Sequence, residues 1–428
     1  MRKSRPPGRI GRMEPTADHP ITRSPDHPIP FDPLLRFRPE FPILARSTYL
    51  ISNSLGAMPR GAASALAEYA QTWATRGVRA WADSWWEMSV SIGDEIAPLL
   101  DAPSGSVSML PNVTIASAVL LSSLRYEPPR NRIVLADGEF PSLRYVYDSL
   151  ATRLGAEVVT VPSPGGDGLA ADEQRIADAI DERTILVAVS HVLFKSAFVV
   201  DVAAIAEKCR RVGALLAVDA YQSVGTLPVS VGALGCDALV GGVLKWLCGG
   251  PGGAFLYVRP DLRARLSPAL TGWMAHPSPF DFEPPPVRLR EDAFRFLLGT
   301  PAIPALYAAR EGPRLVRAAG AQSIREKSLR QTGRLLELSD ARGLRSATPR
   351  DPARRGGTAA VDFENALEVS RELNARDVVV DYRPGVGIRL SPHFYTEDAE
   401  LDRAFAAIDE IRESGAWRRW REHPALVT

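Results

Sequence analysis

The chain is poor in cysteine. Its 3 residues among 428, Cys209, Cys236 and Cys248, are odd in number and show no CxxC spacing. That argues against a disulfide framework and suits a reducing cytoplasm. Histidine is scarce too: 6 residues lie scattered, two of them in a duplicated DHPI at 18–21 and 26–29, so no metal-ligand cluster is expected. A surplus of either charge is missing, since 51 basic and 50 acidic residues leave +1, and this offers no electrostatic footprint for nucleic acid or an anionic membrane. Long apolar runs are absent. The most apolar window, 184–200, is interrupted by His191 and Lys195 and is about as long as the shortest bilayer span, so it reads as core strand plus loop. The first thirty residues, rich in Arg and Pro, lack the apolar segment of a signal peptide. Residues 1–34 are expected to be a disordered extension, with Met13 a second candidate start.

What the chain does have is length and alternation. Its 428 residues suffice for one large α/β domain and a smaller companion. Apolar runs at 107–110, 132–136, 158–161, 185–190, 215–218, 238–240 and 254–258 alternate with mainly helical stretches. This predicts a mostly parallel seven-stranded sheet covered on both faces, with any ligand at the carboxyl ends of the strands. Beyond 304 the pattern changes to helices at 304–319 and 322–338, short strands near 358–363 and 378–382, and a helix at 366–374. The expected division is an N-terminal bridging segment (35–75), a large domain (76–303) and a small C-terminal α+β domain (304–428).

Two charges stand out against the apolar pattern. Asp219 closes the run LLAV, and Lys245 lies 26 residues later between two further strands, with glycines on either side (241, 242, 249, 250, 252 and 253). Charged groups in such places need partners. Pyridoxal phosphate (PLP) chemistry needs this pair: a lysine carries the cofactor as a Schiff base, and a carboxylate keeps its ring nitrogen protonated. Elsewhere, the run at 107–110 leads through Pro111 and Asn112 into a helical segment, a helix start that suits phosphate. Val113 (backbone) and Thr114 (hydroxyl) are assigned to it, beside an ordinary N-cap by Asn112. Phe140, held next to Pro141 after a strand end, is placed to stack on a flat ring.

The stretch GGVLKWLCGGPGGAFLYV, with the strand-end Asp219 before it, resembles the cofactor-lysine region of kynureninase, a PLP enzyme of the class V aminotransferase fold (fold type I). YLISNSLG at 49–56 is similar to that family's opening segment, implying that Asn53 and Ser54 line the substrate side. FPS at 140–142 resembles the segment whose Phe covers the PLP ring, which brings in Ser142. GWMAH at 272–276 and GTP at 299–301 resemble segments that reach the phosphate from the neighbouring subunit, implying roles for Trp273 and Thr300 and an obligate homodimer. RLSPHFY at 389–395 resembles the family's RLAPxxLY, and a guanidinium fork matches a carboxylate, so Arg389 is the candidate for the substrate α-carboxylate. Gln222 stands where the family has a cofactor-touching His.

The resemblance implies catalytic Lys245 and Asp219, an external aldimine with an amino-acid substrate, and kynureninase-like cleavage at the β-carbon. Three departures bear on the later chemistry. Leu143 replaces an Asp, Gln222 a His, and Leu244 a Tyr that reaches the phosphate and lies near the reacting atoms. Hydrolysis of kynurenine itself is therefore in doubt. The alternatives are a class V aminotransferase, a β-eliminating lyase, or a catalytically silent scaffold of the same fold. A cysteine desulfurase is disfavoured, because no Cys follows Cys248 to act as the nucleophile.

Overall fold

Strand and helix alternate from Val107 to Val258 because each apolar run is too short for a helix and is punctuated by capping residues. The computed structural model describes residues 32–422. The expectations for residues 1–31, including the start at Met13, lie outside them. The residues from Leu34 onward cluster as one compact unit.

In chain order the strands are β1 (Thr48–Tyr49), β2 (Val107–Leu110), β3 (Arg132–Ala136), β4 (Glu157–Val161), β5 (Thr184–Ser190), β6 (Leu215–Asp219), β7 (Ala238–Gly242), β8 (Ala254–Val258), β9 (Ala359–Val361), β10 (Val378–Val379), β11 (Asp381–Arg383) and β12 (Gly387–Leu390). Seven form the main sheet in the order β2-β8-β7-β6-β5-β3-β4. The pairings among β7, β6, β5, β3 and β4 are parallel, whereas β8 runs antiparallel to both its neighbours. The reason lies in loop length. A parallel pair needs a crossover of a dozen or more residues, whereas the short 243–253 connection can only reverse the chain. That hairpin carries Lys245.

The crossover helices show ordinary local causes. Helix Val202–Val212 starts where the Asp201 side chain accepts the Ala204 N–H, ends at Gly213 in the left-handed conformation, and buries Val202, Ile205, Ala206 and Cys209. Four of the expected strands extend slightly further than the apolar pattern marks, to include Glu157, Thr184, Asp219 and Gly242. The expected 304–319 helix is two helices, Ile303–Ala308 and Glu311–Ala319. Pro313 lacks the N–H that would bond residue 309, and this breaks the ladder there.

The C-terminal part builds its own antiparallel sheet, β11-β12-β9, over a core that includes Leu335, Val361, Leu373, Ile388 and Phe405. Leu50 joins this core and β1 pairs with β10, which ties the segment after Thr48 to the C-terminal part. The single strand expected near 378–382 is two, because the chain changes partner: 378–379 pair with 48–49, and 381–383 pair with 387–389.

Candidate functional site

The carboxyl ends of β3, β5, β6 and β7 deliver their following residues to one edge of the main sheet. Ser190 and Asp219 are register partners on β5 and β6. The Asp219 carboxylate accepts the Tyr221 N–H (2.8 Å), an Asx-type turn that closes the strand. Removal from water pushes Asp219 up to about 6, against the pull of Lys245.

Lys245 reaches the same place from the β7–β8 hairpin. Its Nζ lies 4.4 Å from the Tyr221 ring centre and 5.4 Å from that of Phe140. Burial, assisted by the cations Arg389 and Arg383, lowers its pKa from the ordinary 10.5 to about 8, with Asp219 and Asp381 opposing. At pH 7 about a tenth of such an amine is free base, against a few parts in ten thousand for an unperturbed lysine. An amine and a carboxyl displaced this far toward neutrality can exchange protons near pH 7.

A second layer presses on the lysine hairpin from the N-terminal segment. The Gly56 N–H donates to the Leu244 carbonyl (3.0 Å), and a Cβ at Gly56 would sit 2.1 Å from the Lys245 carbonyl oxygen. Only glycine permits that approach. Gln222 bridges the two segments: its amide donates to the Asn53 carbonyl (3.0 Å), and its own carbonyl accepts the Trp246 indole N–H (2.9 Å). The residue expected to touch the cofactor thus also fastens the 53–56 loop to the lysine loop. Asn53 is 1% exposed, and neither atom of its side-chain amide has a partner. A buried, unsatisfied amide costs on the order of 1–3 kcal/mol, so Asn53 holds donor and acceptor capacity that the fold does not use.

Arg389 comes from β12 and is 2% exposed. Its Nε and Nη2 bond the Asp381 carboxylate at 2.8 and 2.5 Å, its Nη1 donates to the Phe194 carbonyl, and Ser54 Oγ donates to Asp381 (2.6 Å). A guanidinium has five N–H donors. Asp381 takes two, Phe194 one and the Ser54 hydroxyl a longer one from Nη2 (3.5 Å), which leaves one N–H of Nη1 for a further carboxylate. Asp381 thus orients Arg389 without exhausting it. Register places Asp381 directly opposite Arg389 across the β11–β12 hairpin. The sequence signal for this partner is the spacing DYRPGVGIR, opposite charges flanking a tight turn.

The helix start expected to take phosphate is formed. The Asn112 side chain caps helix Val113–Ser122 by accepting the Ile115 N–H (2.9 Å), and the first N–H groups, those of Val113 and Thr114, have no partner within the helix. Thr300 lines a cleft that also includes Pro111, beside this turn. Trp273 is 40% exposed and packs edge-on to Trp86 and Phe280. Among the described residues neither Trp273 nor Thr300 has a recorded contact with Lys245, Asp219 or Arg389. Phe140 is partly exposed and meets Phe194 edge to face (5.1 Å). Ser142 is half-buried in the first turn of helix Pro141–Val146. His191, to which the sequence reading gave no catalytic role, is buried and lowered to about 4 by loss of water.

Sequence reasoning passed over Glu139 and Tyr221. Glu139 accepts both the N–H (2.8 Å) and the hydroxyl (2.5 Å) of Ser190 and lines a small cavity with Leu143 and Asp219. Burial, with Asp219 nearby, pushes it up to about 8 against the two Ser190 hydrogen bonds. An acidic residue directly before Phe140 is the only trace of it in the sequence.

The unpartnered Asn53 amide, the lysine–carboxylate pair and the free helix start fit PLP. The aminotransferase class-V family model matches residues 48–385. Kynureninase of Burkholderia pseudomallei is 30% identical over 404 residues, covering 90% of this chain and 94% of the relative. The uncharacterized aminotransferase YcbU of Bacillus subtilis is 34% identical over 376 residues, 88% of this chain and 96% of the relative. Among solved structures, cysteine desulfurase from Thermococcus onnurineus NA1 is similar with a TM-score of 0.78 at 20% identity, covering 89% of this chain and 98% of its own. The cystine C–S lyase C-DES matches with a TM-score of 0.78 at 21% identity, covering 86% and 98%. The expected fold is the one observed, and the cofactor is PLP. The chain belongs to the aminotransferase class-V family of PLP-dependent enzymes.

Proposed function

We propose that the protein acts on an amino acid whose β-carbon bears a leaving group, cleaving there in the manner of kynureninase on a kynurenine-type or other β-substituted substrate. The observation that carries this reading is the convergence on one edge of Lys245, the desolvated Asp219 and Arg389 held in line by Asp381. Arg389, aligned by Asp381, holds the substrate α-carboxylate, while Asn53 and Ser54 close that side of the pocket. PLP, when bound, supplies an electron sink for charge at the α-carbon. Lys245, its pKa lowered to about 8, anchors the cofactor and takes the α-proton as a general base. Asp219 holds a proton on the ring nitrogen. Val113, Thr114, Ser142 and Gln222 complete the cofactor's surroundings.

Kynurenine itself is a poor candidate. Leu244 and Leu143 provide no proton, and a lost acid or base group costs about a hundred- to ten-thousandfold. A second reading, transamination, is favoured by the similarity to YcbU. Exposed aromatics at Trp73 (62%), Phe280 (63%) and Phe282 (77%) support a homodimer in which Trp273 and Thr300 serve the neighbouring site. The buried, unpaired cysteines suit the cytoplasm.

The test is a panel of amino acids, kynurenine and β-substituted alanines among them, with and without a keto acid, and products identified by mass. Alanine or pyruvate released from a β-substituted substrate is expected. Amino-group exchange with the keto acid as the sole reaction would overturn β-cleavage, and anthranilate formed from kynurenine as fast as from the best substrate would remove the doubt about kynurenine.

A further inference from the structure

The turn after Asp219 fixes a residue that no motif singled out. The Tyr221 N–H is tied to the Asp219 carboxylate at 2.8 Å, and the Ala220 N–H to the Val240 carbonyl at 2.8 Å, so the backbone that carries the Tyr221 ring cannot drift. The ring lies on Gly242, the last residue of β7, where any Cβ would sit 2.4 Å from its Cζ. Gly242 leaves room for the ring, and the Lys245 amine lies 4.4 Å from its centre. Phe140 faces the same amine at 5.4 Å. Among the described residues the two rings make no ring contact with each other, so the amine is near both while they stand apart. A flat ring joined to that amine through one carbon has all its atoms within roughly 5 Å of the nitrogen. It therefore comes within reach of both rings, and a slot of two van der Waals separations between them, roughly 7–8 Å, would admit one aromatic thickness.

We infer that Tyr221 is a cofactor-binding residue: its ring packs on the face of PLP opposite Phe140 and makes the site a two-sided aromatic slot. Offset stacking suits two rings of unlike electron demand, an electron-rich phenol and a cationic pyridine ring. The ring, not the hydroxyl, faces the amine. The inference rests on Lys245 as the anchor, not on any substrate.

The test is titration of apoprotein with PLP, followed by visible absorbance and by circular dichroism in the cofactor band. Tyr221→Leu fills the same space without an aromatic face and is expected to weaken binding roughly ten- to a hundredfold, the effect of losing one stacked ring, and to diminish the dichroic band. Tyr221→Phe is expected to bind within about twofold of the parent, because the stacking face is kept. Phe140→Leu combined with Tyr221→Leu is expected to lose less than the product of the single effects, since both rings grip one partner. Leu and parent proteins with equal affinity and equal dichroism would overturn the inference, as would a Phe variant as weak as Leu. Should Tyr221→Leu fail to fold by far-ultraviolet dichroism, the Phe140→Leu and Tyr221→Phe pair decides: dichroism unchanged in the first, or affinity lost in the second, sinks the slot. Lys245→Ala checks the anchor separately; a visible band surviving in it defeats the lysine assignment and leaves the measured affinity effects of Tyr221 intact.

Discussion

Two buried acid–base pairs face the site from different sheets, and they are built in opposite ways. Asp381 and Arg389 sit opposite each other on neighbouring strands and are joined by two short hydrogen bonds, with Ser54 and the Phe194 carbonyl satisfying further positions. Asp219 and Lys245 attract each other without a recorded direct hydrogen bond, and both are displaced toward neutrality, the acid up to about 6 and the amine down to about 8. Direct contact stabilises charge and fixes shape; incomplete compensation leaves groups that can gain or lose a proton near pH 7. The first pair orients, and the second is available for chemistry.

Removing the amine should break the reactive pair's function and little else. Lys245→Ala is expected to abolish the visible absorbance of the bound cofactor and to lower turnover by at least about a hundred- to ten-thousandfold, with a melting temperature close to the parent's. A persistent band, or a fold lost with the amine, would erase the distinction drawn between the pairs.

Breaking the other pair should do the reverse. Asp381→Ala leaves the Arg389 guanidinium buried without its carboxylate, which typically costs about 3–5 kcal/mol, read as a lowered urea midpoint at unchanged slope. Substrate affinity should fall with it, as Arg389 loses its alignment. A variant as stable as the parent would mean that the ion pair contributes nothing to the fold.

The smallest effect, and the sharpest on the reactive pair, is pH. The neutral amine is the form that attacks the cofactor's aldehyde, and its pKa is depressed to about 8. Uptake of PLP by apoprotein should therefore rise with pH up to about 8 and level above it. A rate still climbing at pH 10 would indicate an ordinary, solvated lysine.

Much of the main sheet was legible because parallel strands buried on both faces are written as continuous apolar runs bounded by turn residues. The pair Asp219 and Lys245 was legible for the same reason, as charges interrupting that pattern. The β11–β12 hairpin was harder. Its strands are three and four residues long, and Asp381 carries no signal of its own until register brings it face to face with Arg389. Tyr221 and Glu139 left almost no periodic signal: each is one residue in a loop after a strand, and its meaning depends on what the neighbouring strand end presents.

Sequence alone determined which segments become strands, which residue types cluster near the lysine, and which cofactor they suit, because these follow from local periodicity and from chemistry attached to a few side chains. Tertiary structure alone decided that Gln222 bonds Asn53 and Trp246, that Asp381 holds Arg389 by one edge, and that Tyr221 faces the Lys245 amine. Those contacts join residues 8 to 169 positions apart, and the direction in which a side chain points is set by packing and register, which no short window of sequence contains.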